Sequence, residues 1–245
     1  MLSAITFDVW ETLIHDPPEA EEVRVGLRAR AMSSALRRRG IAVGEVALIE
    51  AYRAALPGMQ SVWDGLRDFD TPDQVGYILR RLPPDVGNHV DAETVRELAQ
   101  VYAQVVLDVP PELVSDAPAV LSDVAARGLR MGLICNTGRT PGWALRELLR
   151  RFGILHHFEV LAFSNEEGIR KPDAEIFRRV LIRLDAEAIA AAHVGDDAAS
   201  DVLGAKRAGM RAVLVGCPAV PELPARPDAQ VARLGDLPAV LDAWS

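Results

Sequence analysis

Ser3-Ala4-Ile5-Thr6-Phe7-Asp8-Val9-Trp10-Glu11-Thr12-Leu13 is an apolar run that ends on an aspartate and is followed at once by a turn-forming segment. Far downstream, Ala191-Ala192-His193-Val194-Gly195-Asp196-Asp197 repeats that pattern. Short apolar runs of this kind are read as buried strands of a parallel sheet, and ligands of open α/β folds gather at the carboxyl ends of such strands. Two carboxylates at two strand tips therefore predict one site at the sheet edge. An aspartate held there serves as a nucleophile or as an oxygen ligand for a hard cation.

Working outward, the rhythm from about residue 112 onward is βαβ-like, with candidate strands at 129–134, 160–163, 191–194 and 212–215. Thr140-Pro141 offers a helix start and Gly153 its stop; Pro172 is placed at the start of the next helix, which carries Ile176, Phe177, Val180 and Leu181 on one face. Residues 218–227 are proline-rich and read as loop, followed by a short terminal helix. Between the first strand and this region the sequence reads only as helix. Val23, Leu27, Ala31 and Ala35 recur at helical spacing, as do Val95, Leu98, Ala99, Tyr102 and Val106 behind a capping Asp91. The expected architecture is an α/β Rossmann-like core with a five-stranded central parallel sheet, made from residues 1–15 and 112–245, and an inserted helical domain over 16–111.

Composition narrows the partners. The 245 residues are 49% hydrophobic and 25% charged, ordinary for a soluble globular protein, and the formal net charge of -8 argues against nucleic acid or an anionic membrane as partner. The arginine triplet Arg37-Arg38-Arg39 before Gly40 reads as a helix C-terminus. Cys135 and Cys217 form no C-x-x-C pair, no apolar run approaches a membrane span, and no export signal precedes the first strand, so a cytoplasmic setting is expected. Cys135 lacks an activating base nearby in sequence and reads as an inert thiol at a strand end. His193 alternates into a buried strand and reads as a core histidine, and Thr12 is expected to bond locally in the turn after Asp8. Trp63 and Phe69 in the insertion read as packing residues.

Four segments in order resemble the haloacid dehalogenase-like (HAD) hydrolases of the helical-cap type. They are Phe7-Asp8-Val9-Trp10-Glu11-Thr12-Leu13, Leu133-Ile134-Cys135-Asn136-Thr137-Gly138, Lys171 within Ile169-Arg170-Lys171-Pro172-Asp173, and Gly195-Asp196-Asp197-Ala198-Ala199-Ser200-Asp201. The resemblance implies Asp8 as nucleophile and Lys171 as the cation that masks charge. It implies Asp8, the Trp10 backbone carbonyl, Asp196 and Asp201 as Mg2+ ligands, and Cys135, Asn136, Lys171 and Trp10 around the phosphate or substrate. The implied activity is hydrolysis of a small phosphorylated metabolite through an aspartyl phosphate. Asp197 reads as a cap.

The chain departs from the family pattern in one telling place. Family phosphatases carry a general-acid aspartate two residues after the nucleophile; here that residue is Trp10, whose indole has no titratable proton. Glu11 stands where glycine is usual, and Cys135 where serine or threonine is usual. An aromatic residue at the position of Trp10 is a feature of the 2-haloacid dehalogenases, whose halide leaves unprotonated, whereas Asp196 and Asp201 imply a cation and hence phosphate. A phosphatase with a readily departing leaving group, a phosphatase in which Glu11 or a group from the insertion replaces the acid, a dehalogenase-like displacement at carbon, and a weakly catalytic phospho-ligand binder are the readings compatible with this sequence. Oligomeric state is not legible.

Overall fold

The computed structural model describes residues 1–87, 90–216 and 224–244. Six strands form one parallel sheet: β1 Ala4–Phe7, β2 Arg130–Cys135, β3 Val160–Phe163, β4 Ala191–Gly195, β5 Arg211–Val215 and β6 Ala229–Val231. Their spatial order is 3-2-1-4-5-6, with β1 paired to β2 on one side and β4 on the other. This is the doubly wound α/β arrangement expected, with one more strand than the sequence reading gave. The added strand, β6, is only three residues long and follows the proline-rich stretch, whose residues 218–223 lie outside the described residues, as does Cys217.

Side-chain alternation along the strands divides the core. Ile5, Phe7, Leu133 and Cys135 enter a cluster on one face; Ala4, Ile134 and Leu214 join Phe177 and Val180 on the other. Each fully buried Ile, Leu or Phe contributes about 1.5–3 kcal/mol relative to exposure, which explains why β1 tolerates no polar residue except Thr6. The flanking helices are close to expectation but start later. One begins at Gly142, after Pro141. The next begins at Ala174, where the Asp173 carboxylate accepts from the Glu175 amide at 2.9 Å, so the aspartate rather than Pro172 defines its start.

Between the first strand and residue 112 lie four longer helices, Ala20–Arg38, Glu45–Asp64, Thr71–Leu79 and Ala92–Asp108, with their own hydrophobic cluster around Met32, Leu36, Leu48, Ile78, Leu98 and Tyr102. Asp91 caps the last of them through the Thr94 amide. The first helix buries only Ala35 of the stripe that the periodicity marks, and its inward face is turned away from Val23. Val23 is exposed, while Arg24, Arg28, Met32 and Leu36 face inward. Two buried arginines displaced the predicted apolar stripe. Arg24 donates both terminal amino groups to Asp16 at 2.7 Å and Nε–H to the Val109 carbonyl at 2.9 Å, tying the chain entering the insertion to the chain leaving it. Beside it, Ile14–His15 pairs antiparallel with Glu112–Leu113.

The insertion also docks on the core far from this root. Asp68 is buried and accepts from the Trp63 indole, the Phe69 amide and the Ser164 hydroxyl, with Arg170 3.4 Å away. Gln74 donates to the Gly138 carbonyl at 2.8 Å. The helices are thereby held against the loops that follow β2 and β3. Among the described residues no helix is long and apolar enough to cross a membrane.

Candidate active site

Asp8 directly follows β1, Asn136 follows β2, and Asp196 follows β4, so three neighbouring strands deliver side chains to one edge, where the strand order reverses. The backbone turn after Asp8 is tight. The Leu13 and Ile14 amides both donate to the Val9 carbonyl, and Glu11 adopts φ 56°. A left-handed φ costs a side-chain-bearing residue roughly 1–2 kcal/mol, which accounts for glycine being usual there. Thr12, expected to bond locally, instead has a buried hydroxyl without a hydrogen-bond partner among the described residues.

A cavity of about 180 Å³ at this edge is lined by Asp8, Trp10, Glu11, Asn136, Lys171, Asp196, Asp197, Ser200 and Asp201. Lys171 Nζ donates to Asp8 Oδ1 at 2.5 Å and to Asp201 Oδ1 at 2.6 Å, and all three side chains are buried. Oxygen atoms of Asp8, Asp196 and Asp201 lie within 4.8 Å of one another. The approach of Asp201 explains Gly195: a Cβ there would come within 2.3 Å of the Asp201 carboxylate.

Three carboxylates around one ammonium leave the cavity electrostatically unbalanced. Burial, reinforced by Asp201 and Asp196 and opposed by Lys171, pushes the Asp8 pKa up to about 7. Burial and the Asp201 charge do the same to Asp196, again to about 7. Burial works against the Lys171 ammonium, but Asp201 and Asp8 outweigh it and hold it protonated. Burial likewise opposes ionisation of Asp201, yet Lys171 and His193 keep it well below the ordinary carboxylate range. A hard divalent cation would suit this all-oxygen donor set and would supply the positive charge the cavity lacks.

Asn136 lines the cavity but its amide is already engaged: Oδ1 accepts from the Lys171 backbone amide at 2.9 Å, and Nδ2 donates to the Lys171 carbonyl at 3.1 Å. It positions the lysine. Cys135 is different again. Its side chain is fully buried in the core at the end of β2, away from the cavity lining, and burial raises its thiol pKa well above the ordinary value. Asp197 caps the following turn, through the Ala199 amide at 2.8 Å and the Ser200 hydroxyl at 2.7 Å. Arg39 pairs with Glu93 and Glu97 at the surface.

The site contains a residue whose importance the sequence reading missed. His193 is buried, as expected, but it connects Thr6 Oγ1 at 2.8 Å to Asp201 Oδ1 at 3.1 Å. An ionised Asp201 only accepts, so Nε2 carries the proton and Nδ1 accepts from Thr6. Burial lowers the His193 pKa, keeping it neutral. Periodicity marked it correctly as inward-facing and had no means of showing what it faces.

A second cavity, about 210 Å³, opens beside the first and shares Trp10 and Asn136 with it. Its other walls are Asp16, Glu21, Arg24, Trp63, Thr137, Gly138, Arg139 and Thr140. Trp63 thus lines a cavity while packing on Phe69, with ring centroids 5.9 Å apart.

Comparison with known proteins points to one family. A family model described as haloacid dehalogenase-like hydrolase matches residues 2–209. A phosphoserine phosphatase of Thermus thermophilus is 40% identical over 146 residues, a match spanning 59% of this chain and 55% of that protein's length. Haloacid dehalogenase-like hydrolase domain-containing protein 3 of Mus musculus is 28% identical over 222 residues, covering 86% of this chain and 80% of that one. A 2-haloacid dehalogenase from Pseudomonas syringae pv. tomato DC3000 shares the fold, with a TM-score of 0.67 and 24% identity across the full length of both chains.

Proposed function

This chain belongs to the haloacid dehalogenase-like hydrolases, and from that premise we propose that it hydrolyses a small phosphorylated substrate through a phosphoryl group carried transiently on Asp8, with Mg2+ as cofactor. The observation that carries the reading is the convergence of Asp8, Asp196 and Asp201 on one small volume beside Lys171. The name of the Thermus thermophilus relative supports phosphate-ester chemistry. The helices between residues 20 and 108 serve as a cap over the site, and the cytoplasm is the proposed compartment.

Asp8, Asp196, Asp201 and the Trp10 backbone carbonyl would hold the cation, whose charge masks the phosphoryl oxygens and favours the ionised form of Asp8. An Asp8 carboxylate oxygen attacks phosphorus; the bond to the leaving oxygen breaks and its electron pair departs with that group. Lys171 stabilises the negative charge on the transferred group while remaining protonated. Asn136 keeps the lysine on target through its backbone. Water then attacks the phosphorus of the aspartyl phosphate, releasing inorganic phosphate and regenerating the Asp8 carboxylate. With Trp10 where a proton donor is usual, the substrates served best are those whose leaving group departs without protonation, such as aryl, enol or acyl phosphates.

Displacement of halide at carbon is the second reading, favoured by the indole of Trp10 alone. It gives no role to Asp196, and it leaves the excess negative charge around Lys171 uncompensated. An assay separates the readings. Mg2+-dependent phosphate release from p-nitrophenyl phosphate is expected; chloride release from 2-chloropropionate without added metal overturns the phosphatase reading, and binding of phosphate without turnover of any ester overturns the hydrolytic one.

A further inference from the structure

The second cavity differs chemically from the first. Its walls carry two acids, Asp16 and Glu21, and two arginines, Arg24 and Arg139, with Arg28 paired to Glu21 outside the lining. Arg24 is buried, with three of its five N–H bonds engaged by Asp16 and the Val109 carbonyl. Arg28 donates to Glu21 at 3.0 Å and lies over the Tyr102 ring, 4.8 Å from its centroid. Arg139 is the exception. Its Nε lies 2.9 Å from Glu21 Oε1, while its two terminal amino groups donate no hydrogen bond among the described residues, and its side chain is one-third exposed on the cavity wall.

Glu21 holds Arg139 as an ion pair, and its Oε1 also accepts from Arg28 Nη1 at 3.0 Å and the Tyr52 hydroxyl at 3.1 Å. A guanidinium anchored at Nε presents its remaining edge, two parallel N–H bonds in one plane, and that edge matches a carboxylate. Trp10 and Asn136 line both cavities, so the second adjoins the one that holds Asp8, and a leaving group too long for the first would extend into it. From this geometry we infer that the second cavity selects phosphate esters whose leaving group carries a carboxylate, bound end-on by Arg139. This inference rests on the phosphohydrolase reading and names the substrate class within it. No bond is made or broken in the second cavity; Arg139 acts by binding.

The test uses 3-carboxyphenyl phosphate and its neutral isostere 3-carbamoylphenyl phosphate, both with leaving groups that need no proton, assayed with Mg2+. The wild-type protein is expected to prefer the carboxylate by about 10–100-fold in kcat/KM, the range of one charge-assisted hydrogen-bonded pair, with the difference in KM. Arg139→Gln should bring the two substrates within about threefold by losing only the carboxylate advantage, and Arg139→Lys should retain an intermediate preference because the charge remains without the planar edge. Both esters hydrolysed equally well by the wild-type protein, or an equal loss on both in Arg139→Gln, overturns the inference and leaves the phosphohydrolase reading standing. Hydrolysis of neither ester, nor of p-nitrophenyl phosphate, overturns both.

Discussion

The two cavities that meet at Trp10 are built in opposite ways. The cavity around Asp8 is assembled from the tips of adjacent strands and from short segments immediately after them, and its charged groups are locked together: Lys171 on Asp8 and Asp201, Asp201 on His193, His193 on Thr6. The cavity around Arg139 is walled by the loop after β2 on one side and by the first inserted helix on the other, and it keeps one guanidinium edge uncommitted. Made by the sheet, with Asp8 already paired to a buried lysine, the first suits a fixed chemical step. The second, made by a join between two hydrophobic units, suits choice among substrates, because its far wall can vary without disturbing the sheet.

This contrast makes Trp10 the most informative residue, since it belongs to both cavities. Trp10→Asp should restore a proton donor and raise kcat for alkyl phosphates by about 10²-fold or more, with little change for p-nitrophenyl phosphate, whose leaving group needs no proton. An unchanged alkyl-to-aryl ratio in steady-state assays would show that another group, such as Glu11 on the cavity wall, already donates the proton.

A smaller effect probes whether the first cavity owes its geometry to its buried support. His193→Leu removes the donor to Asp201 and is expected to weaken Mg2+ activation by about 10-fold or more, read as the Mg2+ concentration at half-maximal rate. His193→Asn, which retains a donor, should recover part of the loss. If both variants lower thermal stability equally without shifting the Mg2+ response, His193 is a packing residue only.

The smallest effect concerns pH and stability. The folded-state pKa values of Asp8 and Asp196, about 7, exceed the ordinary 3.8. A carboxyl raised in the folded state contributes stability that is fully present below its unfolded pKa and is lost as pH rises through the folded one. The metal-free protein should therefore lose stability between about pH 4 and pH 8 through these two groups, and Mg2+ should offset that loss. The rise in Tm on replacing EDTA with MgCl2 is expected to be several degrees at pH 8 and near zero at pH 5.5. Equal rises at both values would contradict the charge imbalance assigned to the first cavity.

The first cavity was largely legible in the sequence and the second was not, for a physical reason. Asp8, Asn136 and Asp196 lie in local patterns tied to strand ends, which converge in a parallel sheet without further information, and Lys171 lies in a recognisable segment before the helix that starts at Ala174. Arg139 and Glu21 carry no such mark: one lies in a loop and the other in the first turn of a helix, a location that already favours acids. Even the orientation of that helix was misread, because Arg24 and Arg28 face inward to meet Asp16 and Glu21, and hydrophobic periodicity treats arginine as outward-facing. The same limit hid the bond from His193 to Asp201, since burial is periodic and partnership is not. The sheet was legible save for β6, which is short and follows a proline-rich stretch.

Covalent capture of the phosphoryl group on Asp8 tests the account most directly. Rapid acid quench of the Mg2+-loaded protein with p-nitrophenyl phosphate, followed by mass analysis of the peptide that contains Asp8, should show a burst of phosphorylated peptide that decays with turnover and is absent from Asp8→Asn. Steady release of phosphate by the wild-type protein with that peptide unmodified at every time point, or equal turnover by Asp8→Asn, would contradict it.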